Sequence, residues 1–215
     1  MLTGPELSTK SGNKPKQLIL FLHGVGADGN NLIDIANVLA PHFPNAYFLS
    51  PNAPFPYDMA PSGYQWFQYR DISEENLLKG LNKAMPYLNE FVDHQLKRFN
   101  LTEQDLAVIG FSQGSMIALH TFPRRTKPIA LIAGLSGTIV APHLLEKELN
   151  SKPSILLMHG EKDQVVPVKF MKLSSQALKN LDFNIKTHIY PNLEHSINQE
   201  EIVEIIKELK EKFSK

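Results

Sequence analysis

The chain contains no cysteine, which excludes disulfides, thiolate nucleophiles and cysteine-held metals. It also lacks net charge, with 22 Lys and Arg against 22 Asp and Glu. No basic block is longer than the pair Arg124-Arg125, so nothing offers an electrostatic footprint for nucleic acid or an anionic membrane surface. Long hydrophobic runs are missing too. Leu18 to Leu22 is far too short to cross a bilayer, and Met1 to Lys16 is polar, without the apolar core of a signal peptide. The expectation is a cytoplasmic protein with no stable membrane insertion, and the lack of cysteine itself fits either redox compartment. No Gly-Lys-Ser/Thr ending marks a phosphate loop, and no H-x-x-x-H or H-E-x-x-H spacing marks a zinc site. No cofactor and no metal are therefore expected. A hydrophobic content of 42% over 215 residues suits one domain, 1–215, in which 1–16 form a polar N-terminal segment.

What the chain does carry centres on Gly110-Phe111-Ser112-Gln113-Gly114. This G-x-S-x-G follows the apolar run Leu106-Ala107-Val108-Ile109 and precedes Ser115-Met116-Ile117-Ala118-Leu119, so it reads as strand, sharp turn and helix. Such a turn lifts a serine hydroxyl out of the sheet, and glycines flank it because a Cβ there would collide with neighbouring backbone. The helix that follows turns its N-terminal N–H groups toward whatever the serine attacks.

Strands and helices alternate along the rest of the chain. Leu18–Leu22, Ala46–Ser50, Ile129–Leu135, Ser154–Gly160 and Ile185–Tyr190 read as strands, and Leu32–Leu39, Pro167–Asn180 and a stretch after Asn198 as helices. Asn198 and Glu201 have the spacing of a capping box. Leu77, Leu81, Met85, Leu88, Val92, Leu96 and Phe99 form a helical stripe capped by Ser73, with Pro86 inside it expected to kink or split the helix. Four prolines between Pro51 and Gly63 predict a loop without regular structure. The aromatic cluster after it, including Trp66, reads either as core cover or as a substrate wall. The alternation predicts an α/β fold with a mainly parallel sheet and helices on both faces.

A serine hydroxyl needs a base, and the base needs a group that fixes its tautomer. In an elbow-type fold the order is serine, acid, histidine, each on a loop after a strand. Asp163 and Glu161 both lie after the strand ending at Gly160, and Asp163 is preferred because it stands beyond the turn, anchored by Val165-Val166-Pro167. Of eight histidines, only His195 follows both serine and acid on a loop; His188 falls inside a strand. Two N–H donors are expected for an oxyanion, from Gln113 and from Val25 in the glycine-rich loop His23-Gly24-Val25-Gly26.

Together, His23 to Asn30, Pro51-Asn52-Ala53-Pro54, Trp66-Phe67, the elbow and His159 to Pro167 resemble the phospholipase/carboxylesterase family of α/β-hydrolases, which includes the acyl-protein thioesterases. The resemblance runs from about Gln17 to the C-terminus. It implies an α/β-hydrolase fold, Ser112, Asp163 and His195 as a catalytic triad, and the Val25 and Gln113 N–H groups as the oxyanion hole. Glu194 stands where the family often has glycine, and the loop Phe55–Gln65 is more similar to that of its bacterial esterases. The short link from Leu135 to Pro142 leaves no room for a large lid. The expected activity is hydrolysis of small to medium acyl esters through an acyl-enzyme, with Trp66 as a substrate wall. The partner is a small-molecule ester or thioester, and the oligomeric state stays open. The alternatives are a thioesterase or lysophospholipase using the same triad, or a non-catalytic ligand receptor on the same fold.

Overall fold

The alternation of side chains along one strand sets the layering of the molecule. A computed structural model describes residues 1–214; Lys215, the last residue of the expected domain, lies outside them. In β2 (Gln17–Leu22), Leu18, Leu20 and Leu22 point into one apolar layer and Ile19 and Phe21 into the other. The first layer is completed by Leu81, Leu88, Ile117 and Leu178, the second by Leu32, Leu39, Ile205 and Leu209. A strand buried on both faces needs no polar alternation, which is why this run is continuously apolar.

Seven strands form one sheet in the order β1-β3-β2-β6-β7-β8-β9. They are β1 (Glu6–Leu7), β2, β3 (Ala46–Leu49), β6 (Leu106–Phe111), β7 (Leu131–Leu135), β8 (Ser154–Gly160) and β9 (Ile185–Tyr190). All pairs are parallel except β1 with β3. The helices are α1 (Asn30–Ile33), α2 (Ile35–Leu39), α3 (Glu74–Phe99), α4 (Gln113–Thr121), α5 (Pro142–Glu148), α6 (Lys169–Asn180) and α7 (Gln199–Phe213). Helices α1, α2 and α7 cover one face, and α3, α4, α5 and α6 the other. None is long and apolar enough to cross a membrane among the described residues. The chain turns back on itself between β3 and β6, on either side of β2, and such a switch opens a crevice at the carboxyl ends of the strands.

Four local expectations are corrected. The polar N-terminal segment contributes the edge strand β1, whose Glu6 ties to Arg98 at 2.9 Å and accepts from the Tyr47 hydroxyl at 2.6 Å. The helix at 32–39 is two short helices; the backbone stays helical through Asp34, but the Asn37 N–H closes a tighter turn on the Asp34 carbonyl. Within the proline-rich loop, β4 (Phe55–Pro56) pairs with β5 (Tyr64–Gln65) in a two-stranded ribbon, where an edge proline sacrifices no ladder bond. Of the kink or split expected at Pro86, the split does not occur: α3 runs on through it, and Pro86 sits on its exposed side, where water can satisfy the carbonyl that loses its N–H partner.

The predicted capping box of α7 is present, with the Glu201 N–H donating to Asn198 Oδ1 at 2.8 Å and the Asn198 N–H to Glu201 Oε2 at 3.0 Å. Glu201 is fully buried and its Oε1 has no partner. Burial outweighs the Asn198 bond and pushes its pKa from 4.5 up to about 7. The folded state therefore holds this proton where the unfolded chain has lost it, and stability falls as pH rises from about 4.5 to about 7. Denaturant titrations should show Glu201→Gln losing less stability than the parent across that window, by a difference of order 2 kcal/mol. Equal slopes for the two proteins would refute this assignment.

Candidate active site

Strand pairing decides which loops meet. Leu22 pairs with Gly110 across β2 and β6, so the loop after β2 lies beside the turn after β6. Gly160 pairs with Tyr190 across β8 and β9, so the loops carrying Asp163 and His195 are neighbours as well.

At the first junction helix α4 comes down directly onto β2. A Cβ on Gly114 would stand 1.8 Å from the Leu22 carbonyl oxygen, and one on Gly110 would stand 2.4 Å from the Gly114 carbonyl oxygen. Ser112, between them, has φ 54 and ψ −116, a conformation that an L-residue adopts only under constraint. Its N–H is held by the Leu135 carbonyl at 2.9 Å, and the Met116 N–H closes the first helical turn on the Ser112 carbonyl at 3.1 Å. The serine is thus fixed from both the sheet and the helix.

At the second junction a Cβ on Gly160 would lie 2.2 Å from the Leu193 carbonyl oxygen, and the Lys162 N–H donates to that same oxygen at 3.0 Å. Asp163 Oδ1 accepts from the N–H groups of Val165 and Val166 at 2.9 and 2.8 Å. Its Oδ2 lies 2.7 Å from His195 Nδ1, and His195 Nε2 lies 3.1 Å from Ser112 Oγ. Burial favours protonation of Asp163, but the bonds from His195, Val166 and Val165 outweigh it and hold the carboxyl below its usual range. An ionised carboxylate only accepts, so His195 Nδ1 carries the proton and the Nε2 lone pair faces the serine hydroxyl. The chain of hydroxyl, imidazole and carboxylate is continuous, and it can take a proton from Ser112. Glu161, the other candidate acid, is exposed to solvent. Glu194 is exposed as well and has no positive φ, so its backbone does not require the glycine often found there.

Gln113 is the first residue of α4, and its N–H has no intrahelical acceptor. Gly24 brings the other loop to the same place: a Cβ there would touch the Phe111 ring at 3.3 Å and Ser112 Cβ at 3.4 Å. Val25 follows it directly, while Gly26 and Ala27 spend their N–H groups on the carbonyls of Tyr64 and Gly24.

Trp66 requires a correction. Its side chain has no exposed surface, so it forms no wall that a substrate touches. Instead its indole N–H donates to the His23 carbonyl at 3.0 Å, and its backbone N–H donates to Gln113 Oε1 at 3.1 Å. Gln113 Nε2 completes the tie by donating to the Phe67 carbonyl at 2.9 Å. Sequence reasoning also passed over two buried histidines. His159 Nε2 donates to the Val166 carbonyl at 2.6 Å and lies 3.2 Å from Asp163 Oδ2; His23 bonds at both ring nitrogens. The signal was available, since each follows a continuous apolar run (Leu18–Leu22 and Ile155–Met158) and stands just before a glycine, where a ring nitrogen must find a partner.

A cleft of about 480 Å³ opens beside His195 and Phe111, lined further by Leu32, Ile35, Ile197 and Ile202. Another, of about 450 Å³ between the β4–β5 ribbon and α3, touches none of Ser112, His195 or Asp163.

The chain is similar to known proteins over most of its length. Residues 6–212 match the family described as Phospholipase/Carboxylesterase. Esterase YpfH of Escherichia coli (strain K12) is 28% identical over 190 residues, spanning 88% of this chain and 80% of that protein. Acyl-protein thioesterase 1 of Candida albicans (strain SC5314 / ATCC MYA-2876) is 26% identical over 220 residues, spanning 93% and 94%. Among solved structures, the crystal structure of esterase PE8 superposes with a TM-score of 0.94 at 37% identity, covering 98% of both chains.

The contact at Gly114 makes a prediction independent of any activity. The Leu22 carbonyl belongs to a central strand and cannot retreat, so Gly114→Ala should destabilise the fold by about 3 kcal/mol or more. Thermal unfolding measures this, and a variant with the parent's midpoint would contradict the packing described.

Proposed function

Because the chain belongs to the phospholipase/carboxylesterase family, we propose that it is a serine carboxylesterase acting on small to medium acyl esters through an acyl-enzyme. Family membership carries the broader statement: the chain is an ester or thioester hydrolase with the α/β-hydrolase fold. The finer reading rests on one observation above all, the unbroken run from Ser112 Oγ to His195 at 3.1 Å and on to Asp163 at 2.7 Å.

In this reading Ser112 Oγ attacks the acyl carbon as His195 Nε2 takes its proton, and the carbonyl electron pair moves onto oxygen. The N–H groups of Val25 and Gln113 meet that oxyanion, helped by the positive end of α4. The tetrahedral species collapses, the ester C–O bond breaks, and His195 returns the proton to the leaving alkoxide. Water then repeats the sequence on the acyl-enzyme, His195 again acting as base, and the carboxylic acid departs from a regenerated Ser112. Asp163 keeps the imidazole in the right tautomer and stabilises it when charged. No step calls for a metal or cofactor.

Substrate size is argued from the cleft beside His195. The cleft, of about 480 Å³, reaches His195 but not Ser112, and its lining mixes Leu32, Ile35, Phe111, Ile197 and Ile202 with polar side chains; only Ser136 to Ala141 separates β7 from α5. These features suit a small or medium ester reached without a lid. A thioester carbonyl would be attacked in the same way, and the acyl-protein thioesterases among the relatives favour it as the second reading. The ester is preferred because esterase PE8 is the more similar, at 37% against 26% identity.

Fluorophosphonate labelling followed by peptide mass spectrometry tests the reading without a guess about substrate. Ser112 should be the modified residue, and His195→Ala should abolish labelling. Asp163→Asn should lower kcat by about 10³- to 10⁴-fold with little change in KM. Folded protein that resists the reagent would overturn the proposal. A separate assay addresses size: soluble short-chain esters should be turned over faster than emulsified triglyceride, and the opposite preference would sink the small-substrate reading.

A further inference from the structure

His23 lies at the end of β2, fully buried and outside the proposed triad, yet both its ring nitrogens are engaged. Burial lowers its pKa, against the opposing effects of Gly24 and Asp28, so the ring is neutral and offers one donor and one acceptor. The Ala53 N–H donates to Nε2 at 3.0 Å, and an N–H can only donate. Nε2 is therefore the bare nitrogen and the proton sits on Nδ1. At 2.7 Å from Nδ1 is the Gly24 carbonyl oxygen, which accepts it. The tautomer is dictated by the partners on both sides.

The Gly24 carbonyl belongs to the same planar peptide unit as the Val25 N–H, and in a trans peptide the two point in opposite directions. Fixing the oxygen against His23 therefore fixes the direction of the N–H. Gly24 is also the residue that closes on Ser112, where an added Cβ would stand 3.4 Å from the serine Cβ. A rotation of this one peptide would swing the donor away from a carbonyl bound over Ser112, and in a glycine-rich loop the bonds that resist it are the 2.7 Å contact from His23 Nδ1 and a longer one, 3.3 Å, from the Ala27 N–H.

We propose that His23 is a positioning residue for the oxyanion hole, its Nδ1–H locking the Gly24–Val25 peptide with the Val25 N–H turned to the reacting carbonyl. The inference rests on the esterase reading above and adds to it a residue that touches neither substrate nor triad. Trp66 extends the same frame. Its indole holds the His23 carbonyl while its backbone holds the Gln113 side chain, so both proposed donors hang on one buried set of hydrogen bonds. The Ala53 N–H brings in the loop after β3, where Asn52 Oδ1 also accepts from the Gly29 N–H at 2.8 Å.

Two substitutions separate the two nitrogens. Asparagine at 23 puts a donor near the Nδ1 position and lacks the distal acceptor; glutamine reaches the distal position and lacks the donor. His23→Gln should lower kcat about 100-fold with KM nearly unchanged, because an ill-directed donor fails mainly in the transition state. Affinity for a trifluoromethyl ketone, which forms a tetrahedral oxyanion adduct, should fall by the same factor. His23→Asn should retain kcat and ketone affinity to within about tenfold of the parent. A purely structural role would lower thermal stability without moving ketone affinity and kcat together. An unchanged His23→Gln, or a His23→Asn as impaired as it, overturns the proposal. The ¹⁵N shifts of the His23 ring in the unmodified protein supply a test that does not depend on any variant folding: a protonated Nδ1 and bare Nε2 are expected, and the opposite tautomer overturns it. Absence of fluorophosphonate labelling in the unmodified protein would instead remove the esterase reading and this inference together, whereas normal labelling with an unaffected His23→Gln removes this inference alone.

Discussion

Helix α4 rests on strand β2 with no space for a single methyl group between them, since the Leu22 carbonyl occupies the volume that a Cβ on Gly114 would need. That contact governs most of what surrounds it. A helix so close to the sheet can start only through a very sharp turn, and the turn forces Ser112 into φ 54, ψ −116. Such backbone costs on the order of 1–3 kcal/mol and persists only where its surroundings over-determine it. Here the surroundings are a fully buried helix and the three strands that α4 lies across, β2, β6 and β7. The same closeness leaves Gly24 no more than a methyl group's space from the Phe111 ring and Ser112 Cβ, so the loop after β2 has no choice of neighbour.

The electrostatic character of the site follows from who is buried. His23 and His159 have their pKa values lowered by desolvation, and His120 falls to about 3. Neutral imidazoles are useful inside a protein because each carries one donor and one acceptor in fixed directions, without the penalty of a buried charge. His120 spends a nitrogen on Asn82 of α3, and the other two brace the Gly24 peptide and the Val166 carbonyl. His195 differs in position: it lies partly exposed, with Asp163 beneath it and a cleft beside it. The base we propose at His195 must gain and lose a proton and needs that access; the positioning role we propose for His23 does not.

Much of this was legible in the sequence, and for identifiable reasons. The strands β8 and β9 were read to the residue: Ile155 to Met158 is a short apolar run closed off by Pro153 and Gly160, and the β-branched Ile185, Thr187 and Ile189 recur at every second position. The order serine, acid, histidine is what an elbow-type fold leads one to expect, and Ser112, His195 and Asp163, chosen by that order, lie 3.1 and 2.7 Å apart in succession. Periodicity told less about proline. Pro86 breaks the hydrogen-bond pattern of α3 only on its solvent side, and the register of the stripe Leu81, Leu88, Val92 and Leu96 passes it undisturbed. The edge strand at Glu6 was not legible at all, because two residues carry no period; its place is set by side chains far along the chain, Tyr47 and Arg98.

Trp66 is the instructive error. An aromatic cluster after a long loop reads either as core cover or as a surface for substrate, and the fully buried Trp66 takes the first part. Composition does not reveal which side of the site an aromatic occupies. The indole N–H decides it: a fully buried tryptophan must find an acceptor, and the carbonyl of His23, just before the glycine-rich loop, supplies one. Hydrolysis at a serine needs donors held still while charge develops, and backbone amides on a glycine-rich loop are soft by nature. Rigidity must then come from groups behind the loop. In this chain those groups are a neutral imidazole, an indole and a buried amide side chain, all within hydrogen-bond reach of the two loops that meet at Ser112. The side chains that reach Ser112 are therefore only half of what the site requires, and the other half is packed where no substrate goes.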